Sequence, residues 1–229
     1  MIDGVALSAL DWWAEAGVDT LADDLPRNWL AAAPVLSESV AAAPAQAKAA
    51  LPDTLAAFRA FLLADASIPG PPKGRVDASG DAASGVVIVV DMPESEDRIS
   101  GNLLSGEVGA LFDRMLGAIN LGRDQVYLIP FSPVRATTGK LGEAELTKLT
   151  PLLLHHLALA APRKLLLLGD APVQALLRKP AAQARDTVHQ LAIADGEVPT
   201  VASIHPRMVH LRRDYRALAW ADLQRFETL

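Results

Sequence analysis

Val86-Val87-Ile88-Val89-Val90-Asp91-Met92-Pro93 is the stretch on which the fold turns. Five β-branched apolar residues in succession leave no polar face, which predicts a strand buried on both sides, as in a parallel sheet covered by helices. The run ends in a carboxylate and a proline, an arrangement that delivers a side chain to the carboxyl edge of such a sheet. Three further apolar runs predict strands over 125–130, 164–169 and 200–205. The last of them continues Ser203-Ile204-His205-Pro206 and would bring an imidazole to the edge that Asp91 reaches. An aspartate and a histidine meeting there would make an acid/base pair.

Helical periodicity fills the intervals. Residues 106–119 place Val108, Leu111, Phe112, Met115 and Leu116 on one face, and 143–161 carry Leu152, Leu153, His156 and Leu157. Shorter helices are expected at 171–177, after a tight turn with Asp170 as N-cap, and at 215–226 with Leu218, Trp220 and Leu223. Strands alternating with helices predict an α/β fold, a three-layer α/β/α sandwich around a central four-stranded parallel sheet. Upstream, 55–63 has helix periodicity, and Pro/Gly-rich breaks at 69–74 and 80–85 precede the first strand. Residues 7–17 read as a helix ending at Gly17, a second short helix is expected near Trp29, and 31–50 are low in complexity, with Pro34 and Pro44 opposing one long helix. The expected division is an N-terminal helical extension and Ala/Pro-rich linker over 1–53, followed by the main domain over 54–229.

Composition narrows the chemistry. A chain of 229 residues that is 51% hydrophobic can bury a substantial core without staples. The absence of cysteine removes disulfides, thiolate nucleophiles, zinc-thiolate sites and iron–sulfur clusters. His155 and His156 are helix neighbours whose side chains diverge, so they do not suggest a metal pair, and no cofactor is expected. Without a basic leader or an apolar run of about 18 residues, a soluble cytoplasmic protein with no membrane contact is expected. The net charge of −6 opposes a general nucleic-acid coat, yet residues 203–216 set Arg207, Arg212, Arg213 and Arg216 against Asp214 alone.

From about Val86 to the C-terminus the motifs resemble the uracil-DNA glycosylase superfamily, most closely the class that usually carries an iron–sulfur cluster. That family's Gly-Glu-x-Pro-Gly, acidic pair, glycine, Pro-Phe-x-Gly and Gly-x-Leu-Leu-Asp-x-x-Leu are matched by Val90-Asp91-Met92-Pro93-Glu94, Glu96-Asp97, Gly101, Leu103-Leu104-Ser105-Gly106 and Gly109-Ala110-Leu111-Phe112-Asp113-Arg114-Met115-Leu116. The middle motif is matched by Tyr127 through Pro130, Phe131, Ser132 and Pro133 to Arg135, the next by Pro162-Arg163-Lys164 to Gly169, and His-Pro-x-x-Leu-Leu-Arg by His205-Pro206 with one residue more before Arg212. No one motif is specific; their order and spacing are.

The resemblance implies a flipped base, extruded at a cost of a few kcal/mol, whose glycosidic bond breaks while a histidine steadies the departing anion. It assigns chemistry to Asp91 and His205, a base pocket to Met92, Pro93, Leu104, Pro130 and Phe131, and DNA contacts to Gly101, Ser132, Pro206, Arg207, Arg212 and Arg213. Departures are many. The family's glutamate is Asp91, one methylene shorter; the glycine after the proline is Glu94; the stacking aromatic is Leu104; the base-reading asparagine is Pro130; two cluster cysteines fall on Val134 and Leu149. Without the asparagine and the ring, uracil specificity should fall by several kcal/mol, so weak or no uracil release is expected. Three readings stay open: a glycosylase for another damaged base, a DNA-binding module without chemistry, and an adaptor whose Trp12, Trp13 and Trp29 segment engages a protein partner. Asp91 also reads as a turn cap, His205 as a neutral buried strand-end residue, and the acidic 94–97 run as a feature that would repel phosphate if it faced the binding edge.

Overall fold

The β-branched run beginning at Val86 does form a strand, and in the computed structural model it lies inside a sheet of six. The structure describes residues 51–229 apart from Asp195, together with Trp12, which is helical; the expected N-terminal helices and linker otherwise lie outside the described residues. The strands are β1 (Ser79–Gly80), β2 (Val86–Val90), β3 (Tyr127–Pro130), β4 (Lys164–Leu168), β5 (Val188–Ile193) and β6 (Gly196–Ser203), in the spatial order β1-β3-β2-β4-β6-β5. The central four are parallel, with Ile88 level with Leu128 on one side and Leu166 on the other.

Two antiparallel strands correct the expected four-stranded sheet. β1 adds to β3 through two residues only, and β5 pairs with β6 along its whole length. Neither has the continuous apolar signature. β1 is too short to show a pattern, and β5 faces solvent at alternate positions, with His189, Leu191 and Ile193 turned inward. Its hairpin partner begins at Gly196, four residues earlier than expected, and that glycine ends an Asp-Gly pair of the kind that favours hairpins.

Eight helices are described: α1 (Leu55–Ala64), α2 (Asp97–Ser100), α3 (Gly106–Gly117), α4 (Glu143–Ala160), α5 (Asp170–Leu177), α6 (Ala181–Ala184), α7 (Pro206–Leu211) and α8 (Tyr215–Glu227). They cover both sheet faces, because successive strand residues point to opposite sides. Val87, Val89, Leu165 and Leu167 pack against Leu149, Leu153 and Leu157 of α4 and Val173 of α5. Val86, Ile88, Val90, Leu166 and Leu168 pack against Phe112 and Leu116 of α3 and Leu223 and Phe226 of α8. Burying each such side chain contributes about 1.5–3 kcal/mol, so the central strands anchor the two layers.

The two adjacent histidines of α4 serve this packing. Phe58 of α1 meets both rings edge-on, at 4.7 Å for His155 and 5.5 Å for His156. His155 Nε2 lies 2.8 Å from the Pro52 carbonyl, and His156 Nε2 lies 3.0 Å from the Tyr127 hydroxyl. Burial holds His156 neutral by lowering its pKa to about 4, and raises that of Tyr127 to about 12. Among the described residues no helix is long and apolar enough to cross a membrane.

Candidate functional site

β3 ends at Pro130 as expected, whereas β2, β4 and β6 stop one or two residues short, so Asp91 and His205 sit just beyond the sheet's carboxyl edge. Asp91 follows β2, Ser132 follows β3, Gly169 follows β4 and His205 follows β6. Backbone bonds tie these exits together: Ser132 N donates to Asp91 O at 3.0 Å, and Gly169 N to Ser203 O at 3.1 Å.

Asp91 turns toward the start of α5, where its Oδ1 accepts the Ala171 N–H at 3.0 Å. Gly169, not Asp170, is the N-cap; its φ of 105° lies in the left-handed range, and a Cβ there would run into the Asp91 carboxylate. Glycine is therefore required by both backbone and contact. Burial pushes the Asp91 pKa up to about 7, reinforced by the Asp170 charge and opposed by the Ala171 N–H and Arg207. The capping role is thus real, though for the helix after β4 and not for Asp91's own turn.

His205 is 3% exposed and caps α7, with Nδ1 accepting the Arg207 N–H at 3.2 Å. Burial, with Arg207 and Arg135 nearby, lowers its pKa to about 3 despite the opposing charge of Asp97. A neutral ring whose Nδ1 accepts must carry its proton on Nε2. That Nε2 has no hydrogen-bond partner among the described residues. No hydrogen bond or ion pair there joins Asp91 to His205; each instead lies within the field of the Arg207 guanidinium.

The acidic 94–97 run would repel phosphate if it faced the binding edge, and the structure turns Glu94 inward. Its Oε2 accepts from Arg135 Nη1 at 3.0 Å and its Oε1 lies 3.0 Å from Arg207 Nε, an ion pair by distance although the N–H is not aligned for a hydrogen bond. His205 Nδ1 stands 4.0 Å from the same Oε1. Asp97, also in the acidic run, is fully buried and accepts from Glu94 N, Leu104 N, Ser105 N and Ser105 Oγ at 2.8, 3.0, 2.7 and 2.5 Å. Of the three carboxylates in the run only Glu96 is exposed. The sequence carried a signal for Asp97, an aspartate followed by a glycine-punctuated loop ending in Ser105 before a helix. Nothing in sequence linked Glu94 to Arg135.

The expected base-pocket residues are all buried, Met92, Pro93, Leu104, Pro130 and Phe131 alike. Leu104 packs in the cluster on one sheet face and Phe131 in the cluster on the other. A cleft of about 530 Å³ opens elsewhere, bounded by Gly80, Asn102, Ser105, Asp113 and Arg123; of the five residues only Leu104 borders it. Ser132 closes a local turn through Val134. Gly101 is exposed at the end of α2 with φ 73°, and Pro206 is buried as the first residue of α7. Half of the basic patch is neutralised internally, Arg207 by Glu94 and Arg212 by Asp214 at 2.7 Å, while Arg213 and Arg216 are exposed.

The residues present do not fit an iron–sulfur cluster. The chain has no cysteine; Leu149 lies in the apolar core, and Val134 packs against Gly70. Among the described residues no group of three or more His, Asp or Glu is placed to hold a metal.

No curated protein matches the chain. The family comparison does give a match, over residues 78–224 and hence more than half the sequence, to the uracil DNA glycosylase superfamily. That span runs from just before β1 into α8 and takes in Asp91, Glu94 and His205, so the chain belongs to the uracil DNA glycosylase superfamily.

Proposed function

We propose that this protein is a divergent, cluster-free glycosylase of DNA base-excision repair, acting at a damaged or unpaired base other than uracil. The reading rests on the His205 imidazole, buried, neutral and holding an unpartnered Nε2–H at the sheet's carboxyl edge. Such a donor needs no reorganisation to stabilise the anion of a departing base as the C–N bond breaks. Asp91, ionised above about pH 7, would steady the sugar cation or orient water. Met92, Pro93, Leu104, Pro130 and Phe131 would surround the flipped base after rearrangement, and Gly101, Ser132, Pro206, Arg207, Arg212 and Arg213 would contact DNA.

One observation favours binding without chemistry: Glu94 already occupies the ground between Arg135, Arg207 and His205. The two readings separate on a panel of duplex and single-stranded oligonucleotides carrying uracil, hypoxanthine, oxidised bases or an abasic site, assayed for release and for binding. Release of a non-uracil base that Asp91→Asn or His205→Ala abolishes is the expected outcome. Salt-sensitive binding without release would establish a docking module. Neither would overturn the nucleic-acid reading and direct attention to partners of the Trp12, Trp13 and Trp29 segment.

A further inference from the structure

The geometry points to a phosphate-binding cradle formed by Arg135 and Arg207 and filled in this structure by the chain's own Glu94. Two loops and the first turn of α7 converge there, the loops following β2 and β3. Each carboxylate oxygen faces its own guanidinium, Oε2 at 3.0 Å from Arg135 Nη1 and Oε1 at 3.0 Å from Arg207 Nε. A two-pronged grip by arginines from separate segments is how phosphoryl oxygens are held.

Charge supports the same occupant. Two guanidinium groups touch one carboxylate, Glu94, while Asp91 reaches Arg207 only through its field and is held protonated up to about pH 7. Below that pH the cluster keeps a positive excess that a phosphate would cancel more completely. Asp97 does not compete, since its oxygens are taken by four donors, the Glu94 N–H and three from the loop before α3. His205 borders the cradle through Nδ1, 4.0 Å from Glu94 Oε1, and adds no charge while neutral. Side-chain exposures of 13% for Glu94, 23% for Arg135 and 32% for Arg207 put the cluster near the surface, within reach of an incoming group.

The exchange needs little motion. Asp97 pins the Glu94 backbone N–H at 2.8 Å, so rotation of the Glu94 side chain uncovers both guanidinium groups while the loop keeps its shape and the Pro93 carbonyl, 3.2 Å from Arg135 Nη1, keeps that arginine in place. Which molecule carries the phosphate rests on the nucleic-acid reading above; the cradle itself does not.

The test compares wild type, Glu94→Ala and Glu94→Ala/Arg135→Ala by calorimetric titration with inorganic phosphate at matched ionic strength. Thymidine monophosphate and an undamaged single-stranded oligonucleotide form parallel arms. Glu94→Ala should bind phosphate about tenfold more tightly than wild type, and the double variant should lose that gain. A gain extending to the oligonucleotide identifies the DNA backbone as carrier, and one confined to phosphate and the mononucleotide identifies a free nucleotide. Should the double variant fold poorly, Glu94→Ala/Arg135→Lys replaces it, with a reduced gain expected. A folded Glu94→Ala that binds phosphate no better than wild type, or a gain that survives loss of Arg135, overturns the cradle. Base release plays no part in these readouts, so failure here leaves the glycosylase reading standing, and the converse holds.

Discussion

Asp97 and Asp91 are carboxylates set six residues apart, the first fully buried and the second partly so, and the protein treats them in opposite ways. Asp97 receives four hydrogen bonds, three of them from residues of the loop it organises between α2 and α3. Asp91 receives a well-formed one from the Ala171 N–H and a weaker contribution from the Asp170 N–H, whose own carboxylate is an unfavourable neighbour. A fully satisfied charge is scaffold, because its desolvation is offset by donors that would otherwise be stranded. An under-satisfied one stores electrostatic cost at the sheet's carboxyl edge, where perturbed groups concentrate in functional sites.

The comparison breaks most visibly at Asp97. Replacing it with alanine strands several loop donors, and urea denaturation should show a loss on the order of 4 kcal/mol. A loss under about 1 kcal/mol would mean that the loop does not depend on it.

Asp91→Asn should act in the other direction. The folded chain holds the Asp91 proton up to about pH 7 against an ordinary value of 3.8, so native Asp91 binds the extra proton between those limits. Its contribution to stability is full below about pH 4 and lost as pH rises through about 7, a loss the asparagine avoids. The variant should therefore match wild type near pH 4 and exceed it by on the order of 4 kcal/mol near pH 8. Equal stability at both pH values would contradict the raised pKa.

Glu94 falls between the two. Its removal unpairs Arg135 and Arg207, which keep partial access to water, so Glu94→Ala should cost on the order of 1 kcal/mol in thermal or urea unfolding. Smallest of all is Glu96, an exposed carboxylate packed over Gly106 at the start of α3. Glu96→Gln should change stability by at most about 0.5 kcal/mol, through the helix dipole, and less at high salt.

This gradient explains what could be read in advance. The four central strands were legible because burial on both faces writes an unbroken apolar run, as in Val86 to Val90. The edge strands were not, since Ser79–Gly80 is too short and Val188–Ile193 is half solvated. Asp91 and His205 were legible as edge residues, but not as groups that turn away from each other into separate helix caps. The inward turn of Glu94 was not legible because it depends on Arg135 and Arg207, which lie 41 and 113 positions further along the chain. A charge run reads as solvated until its partners are placed.

Nitrogen NMR of the labelled His205 imidazole reads out whether it is a neutral donor through Nε2. The predicted result is an Nε2–H tautomer with unprotonated Nδ1, persisting as pH is lowered from about 8 to about 4. Protonation to imidazolium near the ordinary value of 6.5, or a proton on Nδ1, would contradict it.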